Sequence, residues 1–94
     1  MVRPINSDRL IVPTVNINGT HADNLVEALT DVAHVLLQAI EKMQAAMPHG
    51  RDYQVHGNGP QARKQWSNRI SHVRNLRNEV IDLALSIQDQ KLPL

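Results

Sequence analysis

The sequence predicts an all-α protein: a helical hairpin of two long antiparallel helices that follows a short extended N-terminal arm. Three observations lead to this prediction. The apolar fraction is 41% but aromatic residues make up only 2%, so the core has to be aliphatic, which suits helix-on-helix packing better than a β-sandwich. Apolar residues recur at helical spacing in two long segments. A loop that begins with Pro48 and contains three of the four glycines separates these segments.

Length and composition exclude several classes of protein. A chain of 94 residues forms one domain at most. Since it has no cysteine, a disulfide scaffold, a thiolate zinc site and a cysteine nucleophile are excluded. No segment has the pattern of a signal peptide or of a membrane span, so we expect a cytoplasmic protein with no membrane partner. The net charge of +1 does not point to nucleic acid.

Residues 1–19 are predicted to form the extended arm. Val15 and Ile17 alternate with Asn16 and Asn18, which is the pattern of a short strand with one apolar face. A single strand is not stable by itself. The arm is therefore expected to pair with a copy of itself or to lie on the helices.

The first helix is predicted over residues 20–47. Thr20 is placed to cap its N-terminus, and Asp23 three residues later completes an acidic variant of the capping box. Pro48 ends the helix, and Gly50 supports this boundary. The apolar residues recur at gaps of three or four: Leu25, Leu29, Val32, Leu36, Ile40, Met43 and Met47.

The second helix is predicted over residues 60–89, after a loop at residues 48–59. Pro60 suits the first turn of a helix, because its missing N–H would have no partner there. The two helices and the loop together form a predicted hairpin unit, residues 20–94. The apolar residues of the second helix are close to a heptad seam: Trp66, Ile70, Val73, Leu76, Val80, Leu83 and Ile87.

Both apolar stripes are wider than a pair of helices can cover. A two-helix chain without cysteine would also be marginally stable alone. We therefore expect an obligate homo-oligomer, with a dimer that forms a four-helix bundle as its simplest closed form. The oligomer contacts are expected along the seam of the second helix, at Trp66, Ile70, Val73 and Val80.

Charge is divided between the two helical segments. Residues 20–47 carry four acidic residues and one lysine, whereas residues 48–78 carry six basic residues and one aspartate. One interpretation is that the two helices pair across the hairpin through exposed ion pairs, each worth about 0–1 kcal/mol. On a helical wheel, however, Arg63, Arg74 and Arg77 cluster at one border of the apolar stripe. Such a face either is solvated or binds phosphate through arginine forks.

The loop contains a second candidate site. Arg51 can bind phosphate or stack on a base, and Tyr53 is the only tyrosine of the chain. Asp52 can orient Arg51 or accept a hydrogen bond from a base or ribose, and His49 flanks the cluster. The alternative is an ordered loop in which Asp52 caps the turn and Tyr53 packs on the end of the hairpin. The residues alone do not decide between these interpretations.

No catalytic, metal or cofactor site is predicted. Glu79 and Asp82 have the spacing of the second-helix magnesium motif in all-α nucleoside triphosphate pyrophosphohydrolases. Those enzymes also need clustered glutamates on the first helix. At the corresponding place this chain has only Asp23, Glu27 and Asp31, spaced four residues apart. Metal-dependent nucleotide hydrolysis is therefore the less favoured alternative, and we expect a protein that is not an enzyme.

The chain resembles small uncharacterised proteins of tailed bacteriophages. The resemblance covers residues 15 to about 88 and rests on the segments Val15–Thr20 and Pro48–Tyr53, an amphipathic first helix and a basic second helix. The plan is also similar to that of phage anti-defence proteins, which form oligomers and sequester cyclic nucleotides made by bacterial immune systems. The resemblance implies a role in the cytoplasm of a bacterial host.

These observations predict a non-enzymatic binding protein. An oligomer of hairpins would capture a phosphate-bearing small molecule, such as a nucleotide immune signal, where subunits meet. The expected ligand-binding residues are His49, Arg51, Asp52, Tyr53, Arg63, Arg74 and Arg77. The alternative is a protein-interaction module that inhibits or docks on a host or virion protein through the arm and the loop. Nucleic-acid binding is the least favoured of the binding functions, since the aromatic content is too low for base-stacking platforms.

Overall fold

The computed structural model describes residues 10–14 and 19–91. Within them it contains two long helices, α1 (Gly19–Ala45) and α2 (Gly59–Lys91), joined by a loop with a 3₁₀ turn at Gly50–Tyr53. The predicted all-helical class with two long helices is confirmed. The strand predicted around Val15–Asn18 lies outside the described residues. No helix in the described ranges is both long and apolar enough to cross a membrane.

The two helices pack side by side in an antiparallel hairpin. Trp66, near the start of α2, contacts Met43, near the end of α1. Arg77, farther along α2, contacts Ala33, which is farther back in α1. Residues that are later in α2 therefore lie beside residues that are earlier in α1.

The helix ends differ from the predicted ones by one or two residues. α1 ends at Ala45, two residues before the predicted end at Met47. After it, the N–H of Ala46 is shared between the carbonyls of Lys42 and Met43, at 3.1 and 3.2 Å, and the last turn tightens. The reason is Pro48, which disfavours helical backbone at the residue before it.

The core of the hairpin is a single line of small and medium side chains. Ile87 is the largest fully buried side chain, at 1% exposure. Each helix can bury only one stripe against a single neighbour, so much of each apolar stripe stays at the surface. Seven apolar residues are at most 8% exposed: Ala22, Ala33, Ile40, Ile70, Val80, Ala84 and Ile87.

The described part of the arm, residues 10–14, lies against α2. Leu10 and Val12 line a groove with Leu83. The side-chain amide of Gln90 donates a hydrogen bond to the carbonyl of Pro13 at 3.0 Å. This part of the arm is not helical, and it lies on a helix of its own chain.

Candidate functional site

A groove between α1 and α2 combines an apolar floor with an arginine side chain. Its volume is about 310 Å³. Polar groups stand at its edge: Thr30, His34, Arg77 and Gln88. The floor consists of aliphatic side chains from both helices: Val26, Leu29, Ala33, Ile81, Ala84 and Leu85. An apolar cleft with a few polar groups is the usual form of a small-molecule site.

Arg77 is held at this groove by a hydrogen bond across the hairpin. Its Nε–H donates to the carbonyl of Ala33 at 3.1 Å, and the side chain is half-buried. Its Nη atoms make no hydrogen bond or ion pair within the described residues. The bond to Ala33 therefore orients the guanidinium while its remaining N–H donors stay available to an anion.

The other polar groups at the groove can accept or donate hydrogen bonds. Thr30 Oγ1 donates to the carbonyl of Val26 at 2.8 Å, which leaves its lone pairs free to accept. His34 and Gln88 are exposed, and each has both donor and acceptor capacity. Among residues 10–14 and 19–91, no carboxylate lines this groove. The groove thus suits a ligand with an anionic group and an apolar part.

Only one of the three arginines predicted on the face of the second helix lines the groove. Arg74 is exposed and precedes Arg77 by three residues, about 4.5 Å along the axis. Arg63 is also exposed but precedes Arg77 by fourteen residues, about 21 Å. Arg74 therefore lies one turn from Arg77 but does not line the groove, and Arg63 is too far from Arg77 for one small molecule to contact both.

The predicted loop site forms an ordered turn. His49 Nδ1 accepts a hydrogen bond from the N–H of Arg51 at 3.1 Å, and the N–H of Asp52 donates to the carbonyl of His49 at 2.9 Å. The turn is therefore capped by His49, and not by Asp52 as in one of the two interpretations of the loop. Tyr53 is half-buried against Gly59, while Arg51 and Asp52 are exposed.

The loop and the groove are far apart within one chain. Arg77 lies eighteen residues beyond Gly59, the first residue of α2, which corresponds to about 27 Å of helix. The predicted ligand-binding residues therefore divide into a loop group and the groove. The loop group consists of His49, Arg51, Asp52 and Tyr53.

The residues predicted to contact a partner chain take part in packing within the hairpin. Ile70 and Val80 are buried, and Trp66 and Val73 are half-buried. Trp66 also donates its indole N–H to the carbonyl of Met43 at 2.7 Å. Contact between α1 and α2 thus accounts for their apolar character. Their role at an oligomer interface stays a prediction.

The acidic pair on α2 lies apart from the acidic residues of α1. Glu79 and Asp82 are exposed and line the groove beneath the arm, beside Leu10 and Val12, and no residue of α1 lines that groove. Among residues 10–14 and 19–91, no group of three or more histidines and carboxylates is placed to hold a metal ion. The described residues do not bring together the carboxylate set of a magnesium site.

Three residues that line the groove were not predicted from the sequence as site residues: Thr30, His34 and Gln88. Thr30 and His34 are four residues apart on the border of the α1 stripe, which is a weak signal that both lie on one side of the hairpin. Which border of α1 faces Arg77 depends on how the helices pack.

No protein-family model, curated protein or solved structure matches this chain.

Proposed function

We propose that this chain is a non-enzymatic binding protein that captures a phosphate-bearing small molecule in the groove at Arg77. The observation that carries the proposal is the Nε–H bond from Arg77 to the carbonyl of Ala33, which aims the guanidinium at a groove without a carboxylate. Arginine forks bind phosphate through parallel, charge-assisted hydrogen bonds. A guanidinium that is already oriented loses less side-chain entropy on binding.

The remaining groups of the groove support a nucleotide-like ligand. A base can lie on the aliphatic floor, with Thr30 and Gln88 as hydrogen-bonding partners for ribose or base edges. The volume of about 310 Å³ is at the lower end of the range for small-molecule pockets, roughly 300–1,000 Å³. This size favours a mononucleotide, or one half of a dinucleotide, over a larger ligand.

The role in a phage-infected bacterial cytoplasm is proposed from the resemblance to phage anti-defence proteins. In that setting the ligand would be a nucleotide immune signal, and the protein would act by sequestration. Arg51 and Tyr53 would join the site only where an assembly brings the loop of one copy to the groove of another. In a single chain the loop is about 27 Å from Arg77 along α2.

Calorimetric titration with a panel of cyclic nucleotides, mononucleotides and ADP-ribose derivatives tests this proposal. We expect at least one compound to bind with a Kd in the micromolar range or below. Arg77→Met, which keeps most of the stem but removes the donors, should weaken that binding at least tenfold. The matched control is Arg69→Met, because Arg69 is an exposed arginine of the same helix whose described hydrogen bond goes to Gln65 in its own helix.

Two results would contradict the proposal. One is the absence of binding across the whole panel. The other is binding that Arg77→Met and Arg69→Met weaken equally. Magnesium-dependent turnover of a bound nucleotide that disappears in Glu79→Gln would instead support the hydrolase alternative.

A protein-interaction module is the second candidate function. It is favoured by Ile11 of the arm and Val55 of the loop, which are each 90% exposed. A partner protein that covered these two side chains would remove apolar surface from water. A stoichiometric host protein that copurifies with the wild type and not with Ile11→Asp, without any nucleotide binding, would support this candidate over the first.

A further inference from the structure

We propose that one face of α2 binds the phosphate backbone of a nucleic-acid duplex. This face, called the polar strip below, lies in the first half of the helix. It uses none of the residues that line the Arg77 groove, so the inference is independent of the proposed function. The polar strip consists of seven exposed residues: Arg63, Lys64, Ser67, Ser71, Arg74, Asn75 and Asn78.

The polar strip is continuous and faces away from α1. At about 100° per residue, its seven members fall within an arc of about 120°, over about 22 Å of helix. The centre of this arc lies roughly 130° around α2 from the buried residues Ile70, Val80 and Ala84. The α2 residues that line the groove beneath the arm begin at Glu79, one residue beyond the strip. The strip is therefore open to a partner along its whole length.

The side chains of the polar strip have the chemistry of a phosphate-binding surface. Each of the seven carries a hydrogen-bond donor, and none is acidic or apolar. Arginine, lysine, serine and asparagine are common donors to the phosphate oxygens of DNA. Within the described ranges of the chain, Arg63, Lys64 and Arg74 make no hydrogen bond or ion pair, so their donors are available. The core of a protein–protein interface is apolar, so the strip suits nucleic acid better than an acidic protein.

Antiparallel packing separates the charges of the hairpin along its length. The contact between Ala33 and Arg77 divides the hairpin into an arm end and a loop end. At the arm end, residues 19–32 and 78–91 carry six carboxylates and one lysine. At the loop end, residues 33–77 carry seven basic residues and two acidic ones. The acidic half of α1 therefore lies beside the acidic half of α2, and all the cations of the polar strip belong to the basic end.

The first two cations of the polar strip are well separated from the carboxylates of α2. Glu79 is sixteen residues beyond Arg63 and fifteen beyond Lys64, which corresponds to about 22–24 Å of helix. The Debye length is about 8 Å at physiological ionic strength, so repulsion between Glu79 and a phosphate at these two residues is largely screened. At the loop end of α1, Lys42 directly follows Glu41 and offsets its charge.

The lack of aromatic residues in the polar strip favours a duplex over a single strand. Sites for single strands combine a basic groove with aromatic side chains on which the bases stack. In a duplex the bases stack on one another, so contacts to the phosphates suffice for binding. At about 3.4 Å per phosphate along one strand, the strip is as long as about six phosphates. Because phosphate contacts carry no sequence information, we expect binding without sequence preference.

Fluorescence anisotropy of the full chain with a labelled DNA duplex of about 20 base pairs tests the polar strip. We expect a Kd in the micromolar range at about 50 mM salt. The logarithm of the affinity should fall with the logarithm of the salt concentration, with a slope of about −2 to −4. Lys64→Gln should weaken binding at least threefold and reduce this slope by about one. The double variant Arg63→Gln/Lys64→Gln should weaken binding at least tenfold.

Lys42→Gln is the matched control, because it removes the same charge from an exposed lysine of the other helix. Lys42 lies about 160° around α1 from the buried Ile40 and so faces away from α2. This substitution should change the Kd by less than twofold. All three substitutions are at exposed positions, and circular dichroism checks that each variant is folded. Nucleotide binding in the calorimetric titration should be unchanged in Arg63→Gln/Lys64→Gln, which separates this inference from the proposed function.

Four results would overturn the inference. The first is no binding of the duplex at about 50 mM salt with the protein at 100 μM. The second is equal weakening by Lys42→Gln and Lys64→Gln. The third is tighter binding of the single strand than of the duplex. The fourth is displacement of the duplex by a polyglutamate peptide at the same concentration of charge, which would assign the polar strip to an acidic protein instead.

Discussion

The indole N–H of Trp66 donates a hydrogen bond to the main-chain carbonyl of Met43 at 2.7 Å. Met43 lies in the last turn of α1, where carbonyls have no regular helical partner. The N–H of Ala46 approaches the same carbonyl at 3.2 Å, as part of a shared bond. The Trp66 side chain therefore supplies a hydrogen-bond donor to one carbonyl at the C-terminal end of α1 and joins the two helices next to the loop.

Two substitutions of Trp66 should distinguish how much its hydrogen bond and its packing each contribute to the free energy of unfolding. Trp66→Phe removes the N–H but keeps a large ring, so we expect a loss of about 1 kcal/mol in the free energy of unfolding. Trp66→Ala also removes the half-buried ring, and the loss should rise to about 2–4 kcal/mol. Urea unfolding followed by circular dichroism, at one protein concentration, measures both. A Trp66→Phe variant as stable as the wild type would show that the bond adds nothing.

Arg77→Met should cost less stability than Trp66→Ala. The Ala33 carbonyl lies inside α1 and keeps its ordinary helical donor when Arg77 is replaced, so no backbone group is left without a partner. We expect a loss of about 1 kcal/mol, because Arg77 is half-exposed and water partly replaces the bond. Arg69→Met should stay within about 0.5 kcal/mol of the wild type in the same unfolding experiment. Equal effects of the two substitutions would argue against a structural role for the bond to Ala33.

Ile87 should be the most sensitive aliphatic position of α2. It is 1% exposed, so Ile87→Ala leaves a cavity in a core that has few other large side chains. We expect a loss of about 2–5 kcal/mol and a large decrease in Tm. Leu85→Ala is the control on the same helix, since Leu85 is 51% exposed, and it should cost less than half as much. Thermal melts by circular dichroism decide between these outcomes.

Gly57 should tolerate alanine less well than Gly50. Gly57 has a φ of 67°, in the left-handed region that side chains disfavour, although a Cβ there would meet no neighbour. Gly57→Ala should therefore destabilise the chain by about 1–2 kcal/mol. A Cβ on Gly50 also meets nothing, and its φ is not positive, so Gly50→Ala should be neutral or slightly stabilising. Similar Tm values for the two variants would mean that the turn rearranges at little cost.

The fold was largely predictable because its signals are local. The spacing of apolar residues, Pro48 and Pro60 together placed two helices and a loop within one or two residues of their observed ends. The error at the end of α1 has a local cause in Pro48, which acts on the residues before it as well as on the helix beyond. The cap of the 3₁₀ turn was less predictable, because His49 and Asp52 both have side chains that can accept a main-chain N–H.

The candidate site was predictable only in part. Arg77 was identified from the charge pattern of the second helix, but it was grouped with Arg63 and with the loop, which lie about 21 and 27 Å away along α2. A helical wheel discards distance along the axis, so residues several turns apart coincide on it. The partners of Arg77 in the groove, Thr30 and His34, come from the other helix and depend on the packing.

The sequence by itself determined the helical class, the positions of the breaks and the division of charge, because each depends on neighbours within a few turns. Only the tertiary structure decided that the indole N–H of Trp66 donates to the carbonyl of Met43. It also decided which border of each helix lines the Arg77 groove. The physical reason is that these contacts depend on the rotation and relative shift of one helix against the other. Many side chains together set that geometry, and no spacing within one helix encodes it.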